Sequence, residues 1–174
     1  ATKSVAIGSV AGYDSQNEKC VAIGNAAGKI DQGSATGAAC TAIGDVAGYS
    51  NQGAGAVAIG GHGAGYSNQG AYAVAIGQSA GYDDQDTGSV AIGTSAGYGG
   101  QGSSSVAIGH LAGETGQSDN SIVLNATGSG LNGDGGTSRC YIAPIRNTNP
   151  GSNLMMYNHT TKEVSYSGAL DVDN

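Results

Sequence analysis

The sequence has no tryptophan and no phenylalanine, and only two prolines among its 174 residues. Its apolar content comes mostly from Ala, Val and Ile. A globular core of this length normally holds larger side chains, so an ordinary two-layer domain fits poorly. Lys and Arg are missing between Ile30 and Ser138, and the formal net charge is −7. A surface that acidic does not attract phosphate, which argues against nucleic acid and anionic membranes as partners. No run of about 18 apolar residues occurs, and no charged-then-apolar signal pattern opens the sequence. Direct insertion into a bilayer is therefore not expected. The three cysteines form no Cys-x-x-Cys pair, so structural zinc has no support.

Glycine, in contrast, is abundant, with 33 residues. It lacks the strict three-residue period of collagen. What is present is a repeat. Val5-Ala6-Ile7-Gly8 returns at Val21, at Thr41 (with Thr in place of Val), and at Val57, Val74, Val90 and Val106, and an altered eighth copy is Ile122-Val123-Leu124-Asn125. The step is 16 residues, with one step of 20 and one of 17. A short fixed step predicts a solenoid, in which each repeat is one coil and each repeat position becomes a column. The expected fold is all-β: a parallel β-solenoid (β-roll) of about eight 16-residue coils over residues 1–125. A small β-hairpin C-terminal module is expected over residues 126–174.

Within a coil, Val and Ile alternate with Ala, the period-two signature of a strand. A second short strand is expected near Val10-Ala11-Gly12-Tyr13, followed by a polar turn. By hydrophobicity, Val and Ile should point into the roll. The intervening Ala6, Ala22, Ala42, Ala58, Ala75, Ala91 and Ala107 should then face outward. An unbroken line of methyl groups there would let another chain approach closely, so this stripe is the expected self-association surface.

Three further columns stand out. Gln16, Gln32, Gln52, Gln69, Gln85, Gln101 and Gln117 recur in the long turn, where stacked amides can hydrogen-bond along the axis. Tyr49, Tyr66, Tyr82 and Tyr98 share a column with Tyr13, while Lys29 and Glu114 replace it in coils two and seven. That column reads either as an exposed carbohydrate platform or as a stiffening aromatic ladder. Cys20 and Cys40 occupy a small-residue column, and at ordinary strand spacing they are close enough for a disulfide. The alternative is two small residues in a column that requires them.

Catalytic signatures are missing. His62 and His110 lie three coils apart, too far to share a metal. Asp83-Asp84-Gln85-Asp86 lacks the pattern of an EF-hand or a calcium roll. The Gly-rich stretches have no phosphate-binding lysine or following helix. No enzyme, no cofactor and no metal site is expected.

Ser89-Val90-Ala91-Ile92-Gly93 and its copies resemble the heads of trimeric autotransporter adhesins of the Yersinia type. That resemblance covers residues 4–125 and implies a left-handed, homotrimeric β-roll. The coils here are longer than in that family and carry a Gln turn. A second resemblance takes in the tail: Ser121-Ile122-Val123-Leu124-Asn125-Ala126-Thr127-Gly128, Tyr141-Ile142-Ala143-Pro144-Ile145-Arg146-Asn147, and residues 156–166. Together these are similar to fibre and surface proteins of large algal viruses and cyanophages. In such proteins the arrangement often precedes a self-cleaving chaperone domain that assembles the trimer. The implied function is a structural and adhesive fibre or head on a virion or phage tail, at the virion surface or otherwise extracellular. Its partners would be further copies of itself and host surface glycans. The alternatives are a cellular adhesin or extracellular filament subunit and, third, an ice-binding solenoid.

In the tail, residues 127–136 read as a loop, and 139–145 and 154–157 as strands, with 163–167 as hairpin partner across 158–162. This segment is expected to cap the open last coil. Asn125-Ala126-Thr127 and Asn158-His159-Thr160 match the N-glycosylation pattern.

Overall fold

The computed structural model describes residues 3–33, 39–133, 135–145, 154–158, 160–162 and 164–167. Asp134 of the expected loop, Arg146 and Asn147 of the tail motif, and His159 and Glu163 of the expected hairpin lie outside them. The described residues hold sixteen strands and no helix. In chain order the strands are β1 (Val5–Ile7), β2 (Val21–Ile23), β3 (Ile30–Gln32), β4 (Thr41–Ile43), β5 (Ser50–Gln52), β6 (Val57–Ile59), β7 (Val74–Ile76) and β8 (Asp83–Gln85). They continue as β9 (Val90–Ile92), β10 (Gly99–Gln101), β11 (Val106–Ile108), β12 (Thr115–Gln117), β13 (Ile122–Asn125), β14 (Cys140–Ala143), β15 (Leu154–Tyr157) and β16 (Val164–Ser167).

Parallel strands stack as a β-solenoid of about eight turns. One wall is a nine-stranded parallel sheet in the order β1-β2-β4-β6-β7-β9-β11-β13-β14. Repeat positions align, as in Val57↔Val74, Ala58↔Ala75 and Ile59↔Ile76. The second wall consists of β3-β5 and β8-β10-β12, linked through Ser67, which bridges Ser50 and Asp83. Both irregular steps leave the strand register intact. Val21 still pairs with Thr41 across the 20-residue step, and Val57 with Val74 across the 17-residue step.

The second strand does not fall at Val10-Ala11-Gly12-Tyr13, which forms a turn. It falls later, on the residues that lead into Gln. The polar residue before each Gln is left-handed: Asp31 (φ 49°), Asn51 (53°), Asn68 (54°), Asp84 (49°), Gly100 (76°) and Gly116 (61°). Asn, Asp and Gly tolerate that conformation best, which accounts for their place in the repeat.

Sequence reasoning also assigned the wrong side of the first strand to the interior. Ala22, Ala42, Ala58, Ala75, Ala91 and Ala107 are fully buried inside the roll, and Val123 takes their place in the eighth coil. Only Ala6, on the first rung, is exposed. The reason is width. Opposite the Ala column runs the glycine of each Ala-Gly pair. A Cβ built on Gly97 would stand 3.3 Å from the Ala91 methyl and 2.6 Å from the Gln101 amide oxygen. In the alanine-lined coils the two walls are too close for Val or Ile between them, and only the eighth admits a Val, Val123.

Gln32, Gln52, Gln69, Gln85, Gln101 and Gln117 fill the rest of the cross-section, each at most 2% exposed. Each amide nitrogen donates across the roll to a carbonyl of the first strand in its own coil. Gln69 Nε2 reaches Val57 O at 2.8 Å, and Gln85 Nε2 reaches Val74 O at 2.8 Å. Each from Gln32 to Gln101 also donates to the next amide oxygen: Gln32 to Gln52 (3.2 Å), Gln52 to Gln69 (3.2 Å), Gln69 to Gln85 (3.1 Å), Gln85 to Gln101 (3.2 Å) and Gln101 to Gln117 (3.3 Å). The expected amide ladder exists, but it runs through the core and not along an outer turn.

Residues 126–133 and 135–144 extend this solenoid. Strand β14 adds to β13 in parallel, and Leu131 bridges Ala112. The division between compact units falls at Pro144/Ile145, not after residue 125. The second unit contains the expected hairpin: β15 and β16 pair antiparallel, with Tyr157↔Val164 nearest the turn. Asn158 Oδ1 accepts from the Thr160 and Thr161 amides at 2.9 and 3.2 Å.

Substitutions in the core should expose both its narrowness and its polarity. Ala75→Val should lower stability by roughly 1–3 kcal/mol through overpacking, read as an earlier thermal transition by circular dichroism. Gln69→Glu should destabilise more than Gln69→Leu at neutral pH, because it buries a charge facing carbonyl acceptors. Only the protonated acid can donate to Val57 O, so folding raises the pKa of the introduced carboxyl. Stability should therefore be regained as pH falls through the raised value. Melting curves against pH would show that recovery in the Gln69→Glu variant and not in Gln69→Leu.

Candidate functional site

With Ala and Gln inside, the outer face of the nine-stranded sheet carries the large aliphatic side chains. Ile59, Ile76 and Ile92 are each 36% exposed, Ile108 40%, Ile122 41% and Ile142 49%. Val57, Val74, Val90 and Val106 beside them are half-buried. Val5 and Ile7 on the first rung are exposed. The result is two adjacent aliphatic columns, interrupted at Thr41 and, on the last rung, at Cys140. At ordinary strand spacing nine rungs span roughly 38 Å. No ionisable side chain other than the Cys140 thiol stands in either column.

The stripe ends in an apolar groove of about 510 Å³ lined by Ile108, Leu124, Ala126, Ile142 and Pro144 among others. Beyond the glycine that follows each Ile, the margin turns polar, and Asn25 Nδ2 donates to Asp45 Oδ1 at 2.9 Å. Acidic side chains gather elsewhere. Asp14 bridges to the second wall, and Asp31, Asp83 and Asp84 are strand residues of it. Sequence reasoning expected the outward stripe of this strand to be alanine; the outward stripe is instead Val and Ile. The six alanines from Ala22 to Ala107 line the interior, out of reach of another chain, whereas the Val and Ile columns face outward.

The tyrosine column resolves as a ladder. Ring centroids are 4.9 Å apart for Tyr49–Tyr66, 4.7 Å for Tyr66–Tyr82 and 4.9 Å for Tyr82–Tyr98, with interplanar angles of 11°, 3° and 9°. Lys29 closes one end, its Nζ lying 5.1 Å from the Tyr49 ring centroid and 3.2 Å from the Tyr49 hydroxyl. Tyr13, on the far side of Lys29, is 74% exposed and outside the stack. A carbohydrate platform needs free ring faces. Here the faces of Tyr66 and Tyr82 are covered by their neighbours, so only ring edges remain. Burial, then Tyr66 and Tyr98, then the Asp83 carboxylate raise the Tyr82 phenol above its ordinary pKa.

Cys20 and Cys40 stand in the small-residue column as buried thiols and are not joined in a disulfide. Burial and the neighbouring Cys20 thiol, which shares a hydrogen bond with it, push the Cys40 thiol well above the usual range. Later coils fill this column with Ser, whose hydroxyls are satisfied locally: Ser89 Oγ donates to Asp86 O and Ser105 Oγ to Gly102 O, both at 2.6 Å. The column selects for small volume, which Cys, Ala and Ser all meet. Cys140 is exposed. His62 and His110 are both exposed in corner turns.

No known protein family, curated protein or solved structure matches this chain.

Proposed function

We propose that the chain is a structural, self-associating segment of an extracellular fibre or head, assembled as a homotrimer through its Val and Ile columns. The observation that carries this reading is the aliphatic stripe free of acidic and basic side chains that runs the length of the solenoid. An exposed apolar surface of that extent is typical of association sites. Like stripes also match in period, because every rung repeats at the same strand spacing. Much of the acidic charge sits on the other wall, so the stripes meet with little electrostatic opposition. Two columns offer two contact lines, one for each neighbour, and a closed ring of three satisfies both on every chain.

The likeness of the tail to fibre and surface proteins of large algal viruses and cyanophages favours a virion or tail location over a cell-surface filament. Contact with host glycans belongs, in this reading, to the polar side away from the stripe. There Asn68, Asp84 and Asp86 line a groove of about 300 Å³. Asn51, Asn68 and Asp84 are themselves chained by 2.9 Å side-chain hydrogen bonds.

Native mass spectrometry at micromolar concentration should show three chains. The double variant Ile76→Lys/Ile92→Lys should show one chain with an unchanged β-type circular dichroism spectrum, because both positions face outward in the single chain. A monomeric parent protein, or a double variant that assembles like the parent, would sink the proposal.

A further inference from the structure

Among the described residues, the tyrosine ladder holds redox-active side chains in a regular stack, and the self-association reading makes no use of it. We propose that Tyr66 and Tyr82 are the centre of an oxidative cross-linking site, where a one-electron oxidant joins neighbouring ladder tyrosines within one chain as dityrosine. This rests on the ladder alone and is independent of how many chains assemble.

Three observations carry it. The Tyr66 and Tyr82 rings lie 4.7 Å apart and only 3° from parallel. Two reacting groups held in contact behave as a far more concentrated pair than the same groups free in solution. Second, Tyr66 and Tyr82 are half-buried and Tyr98 is 39% exposed, so their edges are open to a small oxidant. Third, the ladder is electrostatically graded. The Lys29 ammonium sits over Tyr49 at one end, and the Asp83 carboxylate acts on Tyr82. Until an oxidised phenol has lost its proton it carries positive charge, which is repelled from the first end and attracted to the second. The chain contains no tryptophan to take up that charge instead.

The oxidant removes one electron from each of two phenols, and each phenol releases its proton to water. One ring swings out of the stack so that the two ortho edges meet, and the two phenoxyl radicals couple through ring carbons ortho to their oxygens, forming one carbon–carbon bond. Each joined carbon then gives up its hydrogen as the ring regains aromaticity and its phenol. The product is lighter than the parent by two hydrogens, and the oxidant has gained two electrons.

The test uses photo-excited ruthenium tris-bipyridine with persulfate on the full chain at high dilution. A Cys140→Ser background removes the exposed thiol as a competing reductant. The expected result is dityrosine emission, with peptide mapping placing the bond between Tyr66 and Tyr82 or between adjacent ladder residues of one chain. Tyr66→Phe/Tyr82→Phe retains a ring at each stacking position but removes both central phenols. Intrachain dityrosine should then fall by about tenfold or more. Tyr72→Phe, which alters an exposed tyrosine outside the ladder, should leave the yield unchanged. Bonds mapping to Tyr13 or Tyr72, bonds only between chains, or an undiminished yield in the double Phe variant would each overturn the proposal. Mapping on the Cys140→Ser protein decides the matter even if the double Phe variant fails to fold.

Discussion

The structure depends on an amide that spans the roll. Glutamine is long enough to cross from the second wall to the first, and its amide offers a donor and an acceptor at the same end. Every Gln from Gln32 to Gln101 donates both to a carbonyl of its own coil and to the amide of the next. Walls and coils are thereby joined by one buried polar chain. Such a network is costly if broken and gives definition when complete. It is complete from Gln52 onward. At the N-terminal end, Gln16 donates to Val5 O, and the Gln32 amide oxygen is buried without a partner.

This crossing amide sets the width of the interior, and the width decides the fate of every other side chain. Methyl groups, thiols and hydroxyls fit beside the amides; branched aliphatics do not, save Val123 in the eighth coil. Val and Ile are displaced to the outside, where on most soluble proteins they would be scarce. The roll therefore has a wet chemistry inside and an oily strip outside, the reverse of the common arrangement. What covers that strip becomes the natural question about function, and a second copy with the same repeat is a ready answer.

Much of this was legible in the sequence. The coil step, the first strand, the stacked amides, the shared tyrosine column and the C-terminal hairpin all follow from periodicity. Which face of the first strand is interior does not. Alternation of Val, Ala and Ile states only that two sides differ, and ranking by hydrophobicity points the wrong way when the cavity is narrow. The glycine after each inner alanine of the second corner was the available hint, since Ala-Gly facing Ala leaves room for little else. The second strand was missed because its residues, such as Ser50–Gln52 and Asp83–Gln85, have no apolar alternation. Its signal was the left-handed Asn, Asp or Gly before each Gln. The ninth rung at Cys140–Ala143 was read as a strand but separated from the solenoid, because its motif has drifted. Ile142 nevertheless keeps the register of Ile108 and Leu124.

The irregular coil steps carry a consequence of their own. Four added residues before Cys40 and one among Gly61, His62 and Gly63 leave the pairing of the neighbouring strands undisturbed. Corners of this solenoid are thus neutral ground for evolution. Peptide length can change there, and decoration can accumulate there, while the rungs above and below keep time. A lineage under pressure to alter what its surface presents could rewrite the corners repeatedly and leave the scaffold intact.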